Sequence, residues 1–247
     1  MSNNHQYWSS ISSVYDTTVE ENGDSSHQFI INPIVEKLLG DVSGQTILDG
    51  GSGNGYWSRK LSKTANKVAG IDFTSELIAK AKERGVPANV TFEVGNLENL
   101  PFENNVFDIV LLNMVLMDIE NLDRVVSEIA RVTKPGGIIV VSITHPCFEN
   151  PPNTYSLLDE TEKPTARIVS KYFESGLVID KPNQYQHYHH TLSEYFNLFA
   201  QNYLFVEKVE EPNSATIMQP DNSDPSPYFV ICKLRKLRNS ERNYDNA

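Results

Sequence analysis

The residues of this sequence best placed to hold a ligand are two acids, each of which follows a short apolar run. Asp49 comes after Thr46-Ile47-Leu48 and opens the glycine-rich stretch Asp49-Gly50-Gly51-Ser52-Gly53-Asn54-Gly55. Asp72 follows a second apolar run, about 20 residues beyond the glycines. An apolar strand, a glycine turn and a helix place a ligand at the helix N-terminus of an α/β sheet. The stretch therefore predicts a ligand site.

The charge of Asp49 and the spacing of the glycines limit the kind of ligand. A dinucleotide turn spaces its glycines G-x-G-x-x-G, but Tyr56 stands where the third glycine would be, and its ring would obstruct close packing of helix on strand. Asp49 would also repel a pyrophosphate, whereas it would attract a positive group such as the ammonium of an amino acid. A dinucleotide and a glycine turn without a ligand both stay open as alternatives.

The stretch 49–55 resembles the first motif of the class I, S-adenosylmethionine-dependent methyltransferases. The resemblance runs from Ile30 to His145 and more loosely to Leu234, and Lys134-Pro135-Gly136-Gly137 also matches; Gly50 departs mildly, since Ala or Val is frequent there. S-adenosylmethionine carries an ammonium and a sulfonium, which agrees with Asp49. The resemblance implies an α/β fold: a seven-stranded, mostly parallel Rossmann-like sheet with helices on both faces. It also implies an antiparallel last strand, an N-terminal helical cap and an insertion after the fifth strand.

We expect a single methyltransferase domain over residues 1–247, with an N-terminal cap at 1–28, a substrate-lid insertion at 146–190 and a tail at 239–247. Hydrophobic spacing predicts strands at 46–48, 68–71, 90–94, 107–113, 138–143, 204–209 and 228–233. It predicts helices at 56–61, 76–84 and 122–132, and Thr191 begins a further helix with a capping box. Residues 134–137 should form a turn and residues 167–180 a hairpin.

Two helices are predicted before the first strand. Ile11, Val14 and Tyr15 have helical spacing in the cap, and whether the aromatic residues there cover the cofactor or only dock the helix is left open. The second helix is expected to start near Pro33 and stop at Gly40. Its apolar pattern is Phe29, Ile30, Ile34, Val35, Leu38 and Leu39.

Candidate cofactor-binding residues stand at the ends of four predicted strands. Asp72 can accept hydrogen bonds from both ribose hydroxyls, with a helix cap as the alternative role. Asn96 stands where the resembled family has an acid that contacts the adenine amino group, and its amide oxygen can accept from that amine. Phe73 and Leu97 are expected beside the adenine ring, and Asn113 beside the methionyl part. The full expected set is Asp49, Gly50, Gly51, Gly53, Asn54, Asp72, Phe73, Asn96, Leu97, Asn113 and, from the cap, Tyr15.

Candidate acceptor-side residues come from the cap, the end of the fifth strand and the insertion. His145 follows that strand and is the candidate general base, because imidazole titrates near neutral pH; a structural or substrate-shaping histidine is the alternative. The candidate substrate-binding residues are Tyr7, Met117, His187 and His189. The alternative for Met117 is a place in the core. The histidine-rich run 184–190 has no carboxylate or cysteine at matching spacing, so no metal is expected.

The composition limits the class of partner. With 39% apolar residues the chain can build a core, while a net charge of −11 argues against nucleic acid, which needs a basic face. The basic run 233–238 is expected to be a strand end that enters a solvated tail. Cys147 and Cys232 show neither metal-like nor disulfide spacing, and neither a signal-like start nor a bilayer-spanning run is present. We expect a cytoplasmic protein without membrane contact, and leave its oligomeric state open.

Together these features predict methyl transfer from S-adenosylmethionine to an N, O or C nucleophile of a small metabolite. Transfer from a sulfonium is an in-line displacement with an activated leaving group, so the protein chiefly supplies position and a dry site. A base is needed only where the nucleophile must lose a proton, and the sequence therefore leaves the acceptor open. The alternatives are another reaction of the same cofactor, such as cyclisation that releases methylthioadenosine, a peptide methyltransferase, and a non-catalytic cofactor-binding protein.

Overall fold

The computed structural model describes residues 3–149, 152–180, 185–212 and 226–242. Within these ranges the helices are α1 (Asn3–Val19), α2 (Asn32–Leu39), α3 (Tyr56–Leu61), α4 (Ser75–Glu83), α5 (Leu122–Val132) and α6 (Leu192–Gln201). The strands are β1 (Thr46–Gly50), β2 (Lys67–Asp72), β3 (Val90–Val94), β4 (Phe107–Asn113), β5 (Thr133–Thr144), β6 (Thr154–Leu158), β7 (Pro164–Val169), β8 (Gly176–Asp180), β9 (Tyr185–His189), β10 (Leu204–Glu210) and β11 (Phe229–Lys236). A π-helical turn at His27–Ile31 leads into α2, and short 3₁₀ helices lie at Leu116–Asp118 and Asn239–Glu241.

One seven-stranded sheet carries the architecture, in the order β10-β11-β5-β4-β1-β2-β3. β1 pairs in parallel with β2 and β4, and the parallel run continues to β3 on one side and to β5 on the other. β11 lies antiparallel between β5 and β10. The predicted fold class is confirmed. Because β1 to β4 are parallel, their carboxyl ends meet at one edge of the sheet, where ligands bind in such folds.

Two apolar clusters cover the two faces of the sheet. Along β4, Val110 and Leu112 pack in one cluster, while Ile109 and Leu111 pack in the other. Helices α5 and α6 contribute to the first cluster, and α2, α3 and α4 contribute to the second. A strand buried on both faces explains the almost continuous apolar run of 107–113 in the sequence. Among the described helices none is both long and apolar enough to cross a bilayer.

The ends of several helices follow the predicted local signals. The Thr191 hydroxyl accepts from the Glu194 N–H at 3.2 Å, and the Thr191 N–H donates to Glu194 Oε2 at 2.6 Å, so the capping box is confirmed. Gly40 ends α2 in a left-handed φ of 69°, as a stop signal should.

Two apolar residues predicted to face the core lie on the surface instead. Val14 is 69% exposed and Phe29 is 61% exposed. The buried face of α1 is instead formed by Ser12, Asp16 and Val19, and Asn54 Nδ2 donates to Asp16 Oδ1 at 3.1 Å on that face. Phe29 stands in the π-helical turn, whose wider spacing moves it off the 3.6-residue apolar stripe.

The segment 134–137, predicted as a turn, is part of β5. Its pairing with β4 shifts in register between Phe107 and Ile109. A Cβ at Gly137 would stand 2.9 Å from the Asp108 carbonyl oxygen, so a glycine is what permits this close pairing. At the other end of the chain, Lys236 also continues a strand. Its ammonium donates to Asn105 Oδ1 at 2.8 Å and to Thr133 O at 2.7 Å, so the predicted solvated tail does not include it.

The insertion after β5 holds two hairpins, where one was predicted over 167–180. β6 pairs with β7, and β8 pairs with β9, both antiparallel. The predicted pair is thus divided between two hairpins. The reason lies in the β6–β7 turn, where Asp159 Oδ1 accepts the N–H groups of Thr161 at 2.7 Å and Lys163 at 3.0 Å. The bounds of cap, lid and tail stay predictions, and residues 1–2, 150–151, 181–184 and 243–247 of these segments lie outside the described residues.

Candidate functional site

The glycine turn after β1 has a backbone that only glycine accommodates at its key positions. The N–H groups of Gly51 and Ser52 both donate to Ile71 O, at 2.8 and 3.0 Å, and tie the turn to β2. Gly51 has a φ of 71°, and a Cβ there would stand 2.4 Å from Val115 Cγ2. A Cβ at Gly55 would stand 2.5 Å from the Phe92 ring. Gly55 therefore permits the close helix–strand packing that Tyr56 was expected to obstruct.

Asp72 closes the turn from the end of β2. Its Oδ2 accepts the Gly53 N–H at 2.9 Å, and its Oδ1 accepts the Thr74 N–H at 2.8 Å, where Thr74 is the N-cap residue of α4. Thr74 precedes the first residue of α4, so this bond fixes the chain ahead of the helix and is not the helix cap named as the alternative. Burial raises the pKa of the Asp72 carboxyl, and the two N–H groups oppose that rise. Asp72 also borders the inner of two cavities described next.

Two adjoining cavities lie along the carboxyl ends of β1 to β4. The inner one, of about 60 Å³, is bordered by Gly51, Gly53, Asp72, Phe73, Asn96, Leu97 and Asn113 from the expected cofactor set, and by Tyr15 from α1. The outer one, of about 360 Å³, reaches past Asn4 and His5 to Glu98 and Glu120. Phe73, Asn96, Asp118 and Ile119 border both cavities. The structure thus brings eight of the expected cofactor residues around one space.

The groups around the inner cavity fit S-adenosylmethionine. Glycines at 51 and 53 leave open the room that a Cβ would occupy, and the Tyr15 ring closes over Gly53 at 3.3 Å from that Cβ position. Asp72 offers acceptors for hydroxyl groups, and Phe73 and Leu97 offer apolar walls. Asn96 Oδ1 already accepts the Glu98 N–H at 2.9 Å, so its second lone pair and its amide N–H groups are what it can offer an adenine.

The comparisons with known proteins agree with this geometry. Residues 48–141 match the family model described as a methyltransferase domain. Over these residues the chain is therefore similar to a methyltransferase domain. The match ends before the insertion and excludes α1.

Curated relatives match less than half of this chain in sequence, whereas solved structures match most of it in fold. The chain is 38% identical over 117 residues to demethylmenaquinone methyltransferase of Lactococcus lactis, covering 44% of this chain and 46% of that protein. It is 33% identical over 102 residues to malonyl-[acyl-carrier protein] O-methyltransferase of Pectobacterium atrosepticum, covering 41% and 40%. The chain thus spans less than half the length of these relatives. An S-adenosylmethionine-dependent methyltransferase structure from Mesorhizobium loti superposes with a TM-score of 0.74 at 24% identity, over 82% of this chain and 96% of that one, which shows the shared fold.

Three residues of the glycine-rich stretch 49–55, Asp49, Gly50 and Asn54, are not among those that border the inner cavity. Asp49 is buried and accepts from the Ser58 hydroxyl at 2.5 Å, and burial raises its pKa to about 6. A Cβ at Gly50 would stand 2.8 Å from Leu112 Cδ2, in the core. Asn54 donates to Asp16 and to the Glu20 carbonyl oxygen at 2.8 Å, and so holds α1 against the turn. None of the three is among the described residues that border the inner cavity, and their contact with the cofactor stays a prediction.

Asn113 ends β4, and Met114 and Met117 follow it in the chain. Asn113 lies between the Tyr56 hydroxyl, to which its Nδ2 donates at 3.1 Å, and the Ser142 hydroxyl, from which its Oδ1 accepts at 2.8 Å. Met114 borders the inner cavity with a positive φ of 56°, a strained value typical of functional sites. Met117 packs in the apolar core. The 3₁₀ turn at 116–118 directs Met117 inward, which favours the core alternative over a place on the acceptor wall.

His145 occupies a structural position. Its side chain is 2% exposed, its Nε2 lies 2.8 Å from Glu211 Oε1, and its Nδ1 accepts the Cys147 N–H at 3.1 Å. Burial lowers its pKa, and Glu211 opposes that shift. Among the described residues that border the two cavities, His145 is not included. The geometry favours the structural alternative over the general base, because both ring nitrogens are engaged.

His187 and His189 of β9, and His190 directly after it, make contacts within the fold. The His187 ring stacks on Tyr185 at 5.7 Å, and burial lowers its pKa to about 4. His189 Nε2 lies 2.7 Å from Tyr172 O, and His190 Nε2 lies 2.7 Å from Ile119 O. His187 and His189 border neither cavity in the part of the chain that the structure describes. That part also holds no cluster of three or more ligating side chains able to bind a metal.

Several residues that border the cavities are absent from the expected set, and two of them are polar or aromatic groups next to the glycine turn side of the site, Asp118 and Trp8. Asp118 borders both cavities, and Trp8 of α1 borders the inner one. A signal existed for Asp118, since it is an acid shortly after the end of β4, as Asp49 and Asp72 follow β1 and β2. No comparable signal exists for Trp8, because α1 reaches the site only through tertiary packing.

Proposed function

We propose that this protein transfers a methyl group from S-adenosylmethionine to a small-molecule nucleophile. One observation carries the proposal: the cavity at the sheet edge is bordered at once by the Gly51–Gly53 backbone, the Asp72 carboxylate and Asn96. These groups stand at the ends of three neighbouring parallel strands. Their order matches the three parts of the cofactor, namely the amino acid part, the ribose and the adenine.

Each group has a role in holding the cofactor. Asp72 would accept from the ribose hydroxyls with the lone pairs that Gly53 and Thr74 leave free. Phe73 and Leu97 would enclose the adenine, and Asn96 would bond its edge. The sulfonium of the bound cofactor supplies an activated methyl group. The protein therefore needs chiefly to orient the acceptor and exclude water, which Trp8 and Tyr15 do from above.

The acceptor is a separate proposal from the cofactor. The two curated relatives act, by their names, on demethylmenaquinone and on a malonyl group carried by a protein. Those names give candidate acceptors, a quinone ring or a carrier-bound acid. Yet α1 and the β8–β9 hairpin lie outside residues 48–141. These two elements border or support the acceptor side. We therefore infer a small-molecule acceptor from the enclosed geometry, and not one particular acceptor from the relatives.

The test combines binding and product analysis. Calorimetry should show that S-adenosylhomocysteine binds the wild type and binds Asp72→Asn at least about tenfold more weakly, because a charge-assisted hydrogen bond contributes about 1.5–3 kcal/mol. Asp41→Asn, at an exposed acid that bonds only its own turn, is the matched control and should bind as the wild type does. An acceptor screen should yield S-adenosylhomocysteine as the product. Methylthioadenosine in its place would identify the cyclisation alternative, and absence of cofactor binding would overturn the proposal.

A further inference from the structure

Asp118 is a buried acid with one carboxylate oxygen that no described residue satisfies. It ends the 3₁₀ helix Leu116–Asp118 and is 6% exposed. Its backbone carbonyl accepts from the Asn4 side chain of α1, but its Oδ1 has no hydrogen-bond partner among the described residues. A buried carboxylate without a partner is costly, so such a group is kept where a ligand satisfies it. The side chain borders both cavities and thus stands where they join.

A chain of aromatic rings lies beside Asp118. Tyr185 of β9 meets Tyr7 edge to face at 6.5 Å, Tyr7 meets Trp8 at 5.8 Å, and Trp8 meets Tyr15 at 5.4 Å. Trp8 and Tyr15 border the inner cavity together with Asp118. Burial raises the pKa of the Tyr7, Tyr15 and Tyr185 hydroxyls; the charge of Asp118 adds to that rise, and for Tyr15 the charge of Asp72 adds more. Rings around an acid form the surroundings that an organic cation prefers.

The charges around the joined cavities point to the same kind of ligand. Asp72, Glu98 and Glu120 border them as well as Asp118, and His5 is the basic side chain among the described bordering residues. A cleft lined by charges of one sign concentrates ligands of the other sign. An anionic acceptor would meet repulsion here from at least two buried or half-buried acids.

We propose that the methyl acceptor is an organic amine, bound as its cation by Asp118 and the rings of Tyr7, Trp8, Tyr15 and Tyr185. The proposal rests on the proposed function and names its substrate class. We place Asp118 on the acceptor side because it borders both cavities and lies against α1, where its carbonyl oxygen accepts from the Asn4 side chain.

The chemistry balances with Asp118 as the proton acceptor. The ammonium of the bound amine gives one proton to the Asp118 carboxylate, which becomes a carboxylic acid. The freed nitrogen lone pair forms the new N–C bond while the C–S bond breaks, and the bonding pair stays on sulfur. The products are an N-methylammonium ion and S-adenosylhomocysteine, and Asp118 returns its proton to water when the product leaves. The positive charge of the sulfonium thus ends on the methylated nitrogen.

Cation recognition can be measured without turnover. The probes are choline and benzyltrimethylammonium, each paired with the neutral compound in which carbon replaces nitrogen, titrated by calorimetry into the protein saturated with S-adenosylhomocysteine. The wild type should bind at least one cation ten times or more tightly than its neutral pair. Asp118→Asn should reduce that preference to within about twofold, and Tyr7→Leu should weaken the cation about threefold to tenfold. Asp123→Asn, at an exposed acid in the first turn of α5, is the control and should keep the preference.

The outcomes separate this inference from the proposed function. Amines of a screening panel should be methylated, and the alcohols of the same carbon skeleton should not. If the cofactor binds but no cation is preferred over its neutral pair, the amine proposal is overturned while the methyltransferase proposal stands. If Asp118→Asn weakens S-adenosylmethionine at least tenfold but leaves S-adenosylhomocysteine unchanged, Asp118 serves the sulfonium, and the amine proposal is again overturned. If neither cofactor form binds the wild type, the proposed function itself fails.

Discussion

The two sides of the site are built in different ways. The floor, formed by residues 49–55, 72–74, 96 and 113 at the ends of β1 to β4, is held by backbone hydrogen bonds and by close contacts that exclude a Cβ. The roof, formed by α1 and β9, is joined internally by aromatic rings. It meets the floor through side chains, where Tyr15 covers Gly53, His5 bonds the Phe73 carbonyl oxygen and Asn54 bonds the Glu20 carbonyl oxygen. The β8–β9 hairpin pairs with no strand of the main sheet.

This difference teaches which half can vary. A floor made of backbone geometry tolerates almost no change, and it holds a cofactor that many enzymes share. A roof made of side-chain contacts can exchange one ring or one acid for another without disturbing the sheet. The residues matched by the methyltransferase family model include the floor and leave out the roof. We expect substitutions in the floor to act on folding and cofactor binding, and substitutions in the roof to act on the choice of acceptor.

The largest effect should come from adding a Cβ to the glycine turn of the floor. Gly51→Ala adds a Cβ 2.4 Å from Val115 at a φ of 71°, which combines left-handed strain of about 1–2 kcal/mol with overpacking of about 1–3 kcal/mol. Urea unfolding followed by circular dichroism should show a loss of about 2–5 kcal/mol, and calorimetry a loss of cofactor binding. Gly44→Ala is the control, since Gly44 has a φ of 73° and nothing within 4 Å of its Cβ position. Equal losses in the two variants would show that the contact with Val115 does not matter.

A smaller effect should appear in the pH dependence of stability. Burial raises the pKa of Asp49 from 3.8 in its ordinary state to about 6 in the folded chain. The folded state then binds more protons than the unfolded state between pH 4 and 6, so this residue's contribution to stability falls as the pH rises through that range and is constant above it. The full change corresponds to about 3 kcal/mol.

Asp49→Asn isolates that contribution. The free energy of unfolding of the variant relative to the wild type should rise by up to about 3 kcal/mol between pH 4 and pH 7, in the cofactor-free protein. Chemical denaturation at a series of pH values measures it. A difference that stays flat across this range would mean that Asp49 ionises in the fold as freely as in water, and that the floor is wetter than its burial indicates.

The floor was largely predictable from the sequence, and the roof was not. β1, β2 and the glycine turn follow local rules of apolar runs and positive φ, so Gly51, Gly53 and Asp72 were placed correctly at the sheet edge. The roles of Asn54 and Val14 depend on how α1 rotates against the turn, a tertiary contact between residues 38 apart in the chain that no local pattern encodes. The insertion was misread for the same reason, because hairpin partners are chosen by turn contacts such as that of Asp159.

The smallest effect on turnover should come from His145, at the border between floor and roof. His145→Ala should change kcat by less than about threefold with any verified acceptor, whereas loss of a general base costs about 10²–10⁴-fold. His27→Ala is the control, because His27 is another buried histidine bonded to a carboxylate, at 2.9 Å from Asp24 Oδ1. Both variants should lose about 1–3 kcal/mol of stability. A turnover loss found in His145→Ala alone would return His145 to the catalytic machinery.

The contacts that anchor α1 also bear on the space available at the site. Asn54 binds Asp16, and Asp16 pairs with Arg84, which in turn lies 3.0 Å from Glu21 Oε1. The inner cavity of about 60 Å³ is far below the roughly 300–1,000 Å³ of ordinary ligand pockets. The adjoining outer cavity of about 360 Å³ lies within that range, and Asn4 and His5 of α1 border it. α1 thus borders both cavities, and Asp16 anchors it to the glycine turn. Loosening that anchor is expected to change the shape of both cavities at once.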